Sequence, residues 1–394
     1  MKPEKSILMI GGVPPPYHGS SLYFKNLVSL IEEDGDFEPL VVNTSDKRDD
    51  LNNMGRFDRR NVIVALKAIW ETTIALKRHR PPLVYVPIAQ NIGGYLRDGL
   101  IVVVSKTFGA KVLIHLNGSY FAEFYQKSNR FVRAFIDWTM RHVDAAIVLG
   151  EKLRPIFGRW LPEDRVFALP NFVSWSCDCA SSPDRKDGEL VLTYLGNLME
   201  SKGLFQLLEA AKLAVGRSSK RLKVRIAGKF SADSFTGMTE QHTMSKFNTD
   251  AASVGTEVEY LGMIKEEKVK RQLLESTDIF AFPTWYPIEG QPLVIIEAMS
   301  AGCPVISTKD VGVIDETVVD GVTGFLVEKK DVPGLASAIL ELAEDDQLRA
   351  RMSANALSEF NTRFTPERHL QNFKRILGIV ASDFSLRPAG YSDS

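Results

Sequence analysis

Only three cysteines occur in the 394 residues, Cys177, Cys179 and Cys303, which is too few for a disulfide framework. Cys177 and Cys179 lie in a Ser- and Asp-rich stretch without partner Cys or His pairs, so the spacing excludes a structural zinc site. Long apolar runs are missing too. No stretch reaches the roughly 18 residues that span a bilayer, and no signal-peptide pattern follows Met1-Lys2-Pro3-Glu4-Lys5. The expectation is a cytosolic protein. No fixed internal period marks a repeat architecture. Charge of one sign is absent as well: the net charge is −1, which gives no basis for expecting a nucleic-acid partner.

Beneath that neutrality the charge is unevenly spread. Residues 51–165 hold 18 Lys and Arg against 9 Asp and Glu. A basic surface there favours anionic partners, and peripheral contact with an anionic membrane at the inner face is one expectation. The stretch Arg130–His142 adds Phe131, Phe135 and Trp138 on one helical side with arginines nearby. Such a helix fits either a membrane interface or the packing of an ordinary amphipathic helix.

The first half alternates apolar β-rich runs with helical patterns. Strands are expected at Ser6–Gly11, Pro39–Asn43, Leu83–Pro87, Lys111–Leu116 and Ala145–Leu149. Helices are expected between them at Ser20–Ile31, Arg60–Arg80, Gly94–Phe108 and Asn129–His142. Alternation of this kind implies parallel pairing through right-handed crossovers, hence a doubly wound α/β domain. After Asn171 the chain loses periodicity in "SWSCDCASSPDRKDGE", the composition of a linker. A second alternating series then starts at Leu190. The expected division is a domain over 1–172, a linker over 173–189, a second domain over 190–365, and a last helix with its tail over 366–394. Phe230–Gly255 is polar with few periodic apolar positions and reads as a loop or a partly helical insertion.

The chemistry-bearing feature is a pair of carboxylates, Glu289 and Glu297, in "EGQPLVIIEAM". Pro292 suits the first helical position, where its missing N–H costs nothing, and Gly302 can end the helix. Glu297 would then lie about 7.5 Å along the axis from Pro292. The backbone N–H groups around Gln291, Leu293 and Val294 carry the positive end of the helix dipole and form an anion site. A phosphate held there has one carboxylate before it and one beyond it. Carboxylates are strong acceptors for sugar hydroxyls, so the arrangement suits a ligand with hydroxyls on both sides of a diphosphate.

With the flanking "AGCPVI" and "DGVTGFLV" segments, these residues resemble the donor-site signature of retaining glycosyltransferases of the GT-B fold, family 4. The resemblance covers most of the chain and is strongest from about 190 to 365. It implies two Rossmann-like domains facing a central cleft, with the last helix crossing back to the first domain. It places Glu289 and Gly290 on the transferred sugar and Glu297 on the ribose. In "YLGNLMESKG" it assigns Lys202 to the diphosphate; Asn197 stands where the family commonly has Arg. An amide donates a hydrogen bond but brings no charge, so the diphosphate loses one expected cation, and Lys229 after Gly228 is a candidate substitute. In "GGVPPPYHGSSLY" the family's Gly-Gly pair reads His18-Gly19, leaving Gly19 as a donor contact and His18 on the acceptor side. His115, at the end of an expected strand, matches an active-site histidine, and Asn117 and Gly118 complete the acceptor loop. The chain is read as lacking an Asp-x-Asp metal motif, so neither metal nor cofactor is expected.

The resulting expectation is a retaining, metal-independent hexosyl-type transferase. It moves a sugar from a UDP- or GDP-sugar to a hydroxyl of a glycan or lipid-linked acceptor, in surface polysaccharide, lipopolysaccharide or glycolipid biosynthesis. A nucleotide-sugar 2-epimerase of the same fold and a non-catalytic sugar-nucleotide binding protein are the alternatives.

Overall fold

A computed structural model describes residues 6–15, 19–45, 59–175 and 189–381. Two compact units divide the chain: residues 1–171 with 366–394 form the first, and 172–365 the second. The first unit runs β1 (Ser6–Gly11), α1 (Gly19–Asp34), β2 (Glu38–Asn43), α2 (Arg59–His79), β3 (Leu83–Pro87), α3 (Ile92–Thr107), β4 (Lys111–Leu116), α4 (Phe121–Lys127), α5 (Arg130–Met140), β5 (Ala145–Val148) and β6 (Val166–Ala168). The second runs β7 (Glu189–Leu195), α6 (Leu204–Val215), β8 (Arg221–Ala227), α7 (Glu240–Ala252), β9 (Val258–Gly262), α8 (Glu267–Glu275), β10 (Ile279–Phe282) and α9 (Leu293–Ser300). It continues through β11 (Val305–Thr308), α10 (Ile314–Thr317), β12 (Gly324–Val327), α11 (Val332–Glu344) and α12 (Asp346–Arg363). Helix α13 (Pro366–Val380) returns the chain to the first unit.

Each unit is built on a six-stranded, wholly parallel sheet, in the orders β2-β1-β3-β4-β5-β6 and β12-β11-β10-β7-β8-β9. Central strands are apolar on both faces because helices cover both: every residue of β1, β5 and β10 is buried. Edge strands β2 and β9 are largely open instead, as sheet edges are. Strand order reverses between β1 and β3 and between β7 and β10. At such switch points the loops leaving the carboxyl ends of two neighbouring strands diverge and leave room for a ligand.

In the first unit α13 is held by a buried polar chain. His369 Nδ1 lies 2.8 Å from the Pro170 carbonyl, which can only accept, so His369 Nε2 accepts from the Tyr23 hydroxyl at 3.0 Å. Tyr23 in turn accepts from Tyr85, whose oxygen lies 2.6 Å from His115 Nδ1. Outside the core, Lys374 sits 2.6 Å from both Asp34 and Asp36. Asp34-Gly35-Asp36 has Asp-x-Asp spacing, and its carboxylates are engaged by that lysine.

At the level of elements one open expectation is resolved, as a partly helical insertion, and two shift by a residue. Phe230–Gly255 contains the 13-residue helix α7, capped by Thr239, whose side chain accepts from the His242 N–H. Its burial rests on Thr243 and Phe247 alone, and Phe247 packs edge-on against Phe230 with centroids 5.4 Å apart. Two buried positions in 13 leave too weak a period to read. Pro292 is the residue before α9 rather than its first residue, with ψ 119°. α1 begins at Gly19, one residue before the expected start at Ser20. Cys177, Cys179 and most of the expected linker fall outside the described residues.

Candidate active site

In the second unit the loops after β7, β8 and β10 gather at the switch point. Glycines make this crowding possible. Gly203 adopts φ 80° between the turn Glu200–Lys202 and α6, and a Cβ there would fall 2.1 Å from the Pro283 carbonyl oxygen. Gly228 approaches the β7 loop so closely that a Cβ would lie 1.8 Å from Gly196 O. Only residues without a side chain fit such positions. The loops are then tied together through Ser201, whose carbonyl accepts from Trp285 N at 2.8 Å and whose N–H donates to buried Asp233 at 2.8 Å.

These ties present Lys202 to Glu289. Their ion pair leaves the side chains 14% and 12% exposed. Thr284 Oγ1 sits 3.2 Å from the same carboxylate oxygen, and the Lys202 ammonium lies 4.3 Å from the Tyr286 ring centroid, within cation–π range. Burial, then the charges of Glu289 and Asp233, push the Tyr286 hydroxyl up to about 12. Tyr194, buried beneath the loop, is raised well above the usual tyrosine range by burial and by Glu289. Both phenols therefore remain neutral donors next to a carboxylate.

Glu297 lies one turn into α9 and is buried. One of its oxygens pairs with Lys270 of α8, while Oε2 is buried without a hydrogen-bond partner. An orphaned carboxylate oxygen costs desolvation energy. Such an atom is positioned to accept from a hydroxyl. At the start of α9 the first-turn amides belong to Leu293 and Val294, since Pro292 has none. Gln291 is buried, and its side chain donates to Thr317 Oγ1 at 2.9 Å; its side chain braces the loop. Gly290 is held by its carbonyl, which accepts from Val313 N at 2.9 Å.

Asn197 and Lys229 are both exposed and occupy neighbouring loops, joined where Leu198 N donates to Lys229 O at 2.9 Å. The expected pairing of an uncharged amide with a nearby lysine is therefore sterically available. Sequence reasoning did not single out Lys270, Thr284, Tyr286 or Asp233. Lys270 sits on a charged helix 27 positions from its partner, and no local pattern marks such a pairing.

His115 is a buried residue. The imidazole is fully buried in the first unit, edge-on to Tyr23 at 5.3 Å and bonded to Tyr85. Burial, with His369 nearby, lowers its pKa to about 3. It is a neutral group, and its Nε2 is buried without a hydrogen-bond partner. It sits near the carboxyl end of β4 as expected, packed against Tyr23 and Tyr85. Asn117, one position beyond the strand, is half-buried, and its Oδ1 is buried without a partner. A Cβ on Gly118 would meet Gln90 Nε2 at 2.1 Å, so this glycine admits the Gln90 side chain. Gly19 is exposed at the first position of α1. His18 lies outside the described residues.

Comparison with known proteins agrees with this geometry. Residues 180–359 match the family model of glycosyl transferases group 1. The chain is 30% identical over 177 residues to the capsular polysaccharide biosynthesis glycosyltransferase CapM of Staphylococcus aureus, covering 45% of this chain and 43% of that protein. It is 30% identical over 172 residues to a phosphatidyl-myo-inositol mannosyltransferase of Mycolicibacterium smegmatis, covering 43% and 40%. The matched region is thus less than half the length of these curated relatives. Among solved structures, HepE of Anabaena in complex with UDP has a TM-score of 0.72 at 18% identity, over 95% of this chain and 100% of that one. Sucrose-phosphate synthase of Thermosynechococcus elongatus has a TM-score of 0.71 at 16% identity, over 96% and 100%. The second unit is thus similar to the group 1 glycosyl transferases over residues 180–359, and the two parallel-sheet units have the GT-B fold.

Proposed function

We propose that this protein is a retaining glycosyltransferase that moves a sugar from a nucleoside diphosphate sugar to a hydroxyl of a glycan or lipid-linked acceptor, in the synthesis of a polysaccharide or glycolipid. The observation that carries the reading is Glu297. Its carboxylate has one oxygen fixed by Lys270 and one buried oxygen without a partner, beside the start of α9 and in the same unit as the Lys202–Glu289 pair. A ribose hydroxyl donating to Oε2 satisfies that atom, and the α9 amides then face the diphosphate. UDP in the HepE complex and the activities named for CapM and the mannosyltransferase support the same reading.

In this mechanism the bond between the sugar's anomeric carbon and the phosphate oxygen breaks, and its electron pair stays on the phosphate. Lys202 and the Leu293 and Val294 amides stabilise that charge as it develops, without a metal ion. Lys229 supplies the cation that Asn197 does not. Glu289 holds sugar hydroxyls rather than attacking carbon, since its carboxylate is already committed to Lys202 and Thr284. The acceptor oxygen bonds to the anomeric carbon on the face the phosphate leaves, and its proton passes to the departing phosphate oxygen. Asn117 and Gly118 of the first unit are assigned to the acceptor.

A panel of UDP- and GDP-sugars with glycan and lipid-linked acceptors tests this. Transfer with free nucleotide, unchanged anomeric configuration by NMR and full activity in EDTA is the expected result. An epimerised donor identifies the epimerase, and binding without turnover identifies a non-catalytic binder. Full transfer activity in a Glu289→Ala variant overturns the site assignment.

A further inference from the structure

Helix α2 presents apolar residues to solvent as well as to its own unit. Four of its large apolar side chains point outward: Ile63 is 63% exposed, Leu66 61%, Trp70 66% and Ile74 46%. The face turned toward its own unit carries Ala68, Thr72 and Leu76, each at most 1% exposed. At 3.6 residues per turn the four outward residues share an arc of about 80° and a length of about 16 Å. A helix that only had to pack would place this set inward. The rest of the layer repeats the feature. α3 packs against both α2 and α5, and α5 leaves Phe131 71% and Trp138 44% exposed.

Charge decides what could cover this face. The same outward side of α2 carries Lys67, Lys77 and Arg78, all exposed, with the last two in the final turn. Its sequence holds a single carboxylate, Glu71, which lies 3.5 Å from Lys67. Trp at mid-stripe, aliphatics on either side and cations at the margin match an interface between acyl chains and anionic headgroups, where lysine and arginine stems lie along the apolar layer and their heads reach phosphates. The helix has 21 residues, and no described helix is long and apolar enough to cross a membrane.

We propose that the outward face of α2 docks this protein onto an anionic lipid surface, with Leu66 and Trp70 inserted and Lys77 and Arg78 at the headgroups. This inference stands on the first unit's surface and does not rest on the donor site. Its test is co-sedimentation of the full chain with phosphatidylcholine vesicles, with and without phosphatidylglycerol, at low and high salt. The expected result is binding only to the anionic vesicles, weakened by salt. Leu66→Ser with Trp70→Ser, and separately Lys77→Glu with Arg78→Glu, should each lower vesicle affinity by about tenfold or more. Circular dichroism spectra and thermal melts measured alongside should be unchanged in both variants, showing that the first unit is folded. Absence of wild-type binding to anionic vesicles, or equal binding by either variant, overturns the proposal. So does a wild-type dimer that Leu66→Ser with Trp70→Ser turns into a monomer without any vesicle binding, because the face would then belong to a second copy of the chain.

Discussion

At the scale of single residues, the site is a set of charges that hold one another. Lys202 and Glu289 form a half-buried pair, and removing one partner of such a pair leaves the other charge uncompensated. Lys202→Met is therefore expected to lower kcat by about a hundredfold. Lys202→Arg should recover part of the loss, because it restores the charge with different geometry; steady-state kinetics checks both. Glu297 acts on binding. Glu297→Gln keeps the shape but weakens the acceptor for a hydroxyl, so the donor KM should rise about tenfold or more while kcat changes little. A fall in kcat with constant KM would place Glu297 on the reacting sugar instead. The Glu289-x7-Glu297 spacing was legible in the chain because one helix and its preceding turn carry both. Lys270 and Asp233 were not, since each meets its partner only through folding.

At the scale of elements, glycine and histidine fix how segments meet. Gly203 turns the chain at φ 80° against Pro283, so Gly203→Ala should destabilise the protein by at least about 2 kcal/mol and displace Lys202. Thermal melts together with donor affinity check this, and an unchanged melting temperature contradicts the tight approach. α13 depends on neutral histidines. Burial lowers both His369 and His115 to about 3 from an ordinary 6.5. Because the unfolded chain takes up protons below 6.5 and the folded one does not, stability is lost as pH falls from about 6.5 toward 3. Each group contributes at most about 1.4 kcal/mol per pH unit. Melting temperatures between pH 7 and 5 should fall, and His369→Gln should flatten that slope; an identical slope removes His369 from the explanation. Most helices and strands were visible as alternating apolar patterns, and the β1, β3 and β4 bounds agree with the expectation residue for residue. α7 was legible only as one of two alternatives, a partly helical insertion, because only two of its residues face inward.

At the scale of the whole molecule, the proposed donor site draws on one unit, so a nucleotide alone should stabilise the protein. UDP or GDP at a hundred times its Kd should add about 2.7 kcal/mol to the unit that binds it. A thermal-shift series with UDP, GDP and ADP reads out which base is preferred, and no shift with any of them contradicts the assigned site. What the sequence alone determined is periodic and local: two α/β halves, the break after Asn171, the turn and helix that bear Glu289 and Glu297, and the glycines beside Lys202. Tertiary structure decided the rest. It buried His115 against Tyr23 and Tyr85, paired Lys270 with Glu297, returned α13 to the first unit, and turned the apolar stripe of α2 outward. The physical reason is that period and spacing report which residues share a face, whereas burial and ion pairing depend on which distant element covers that face.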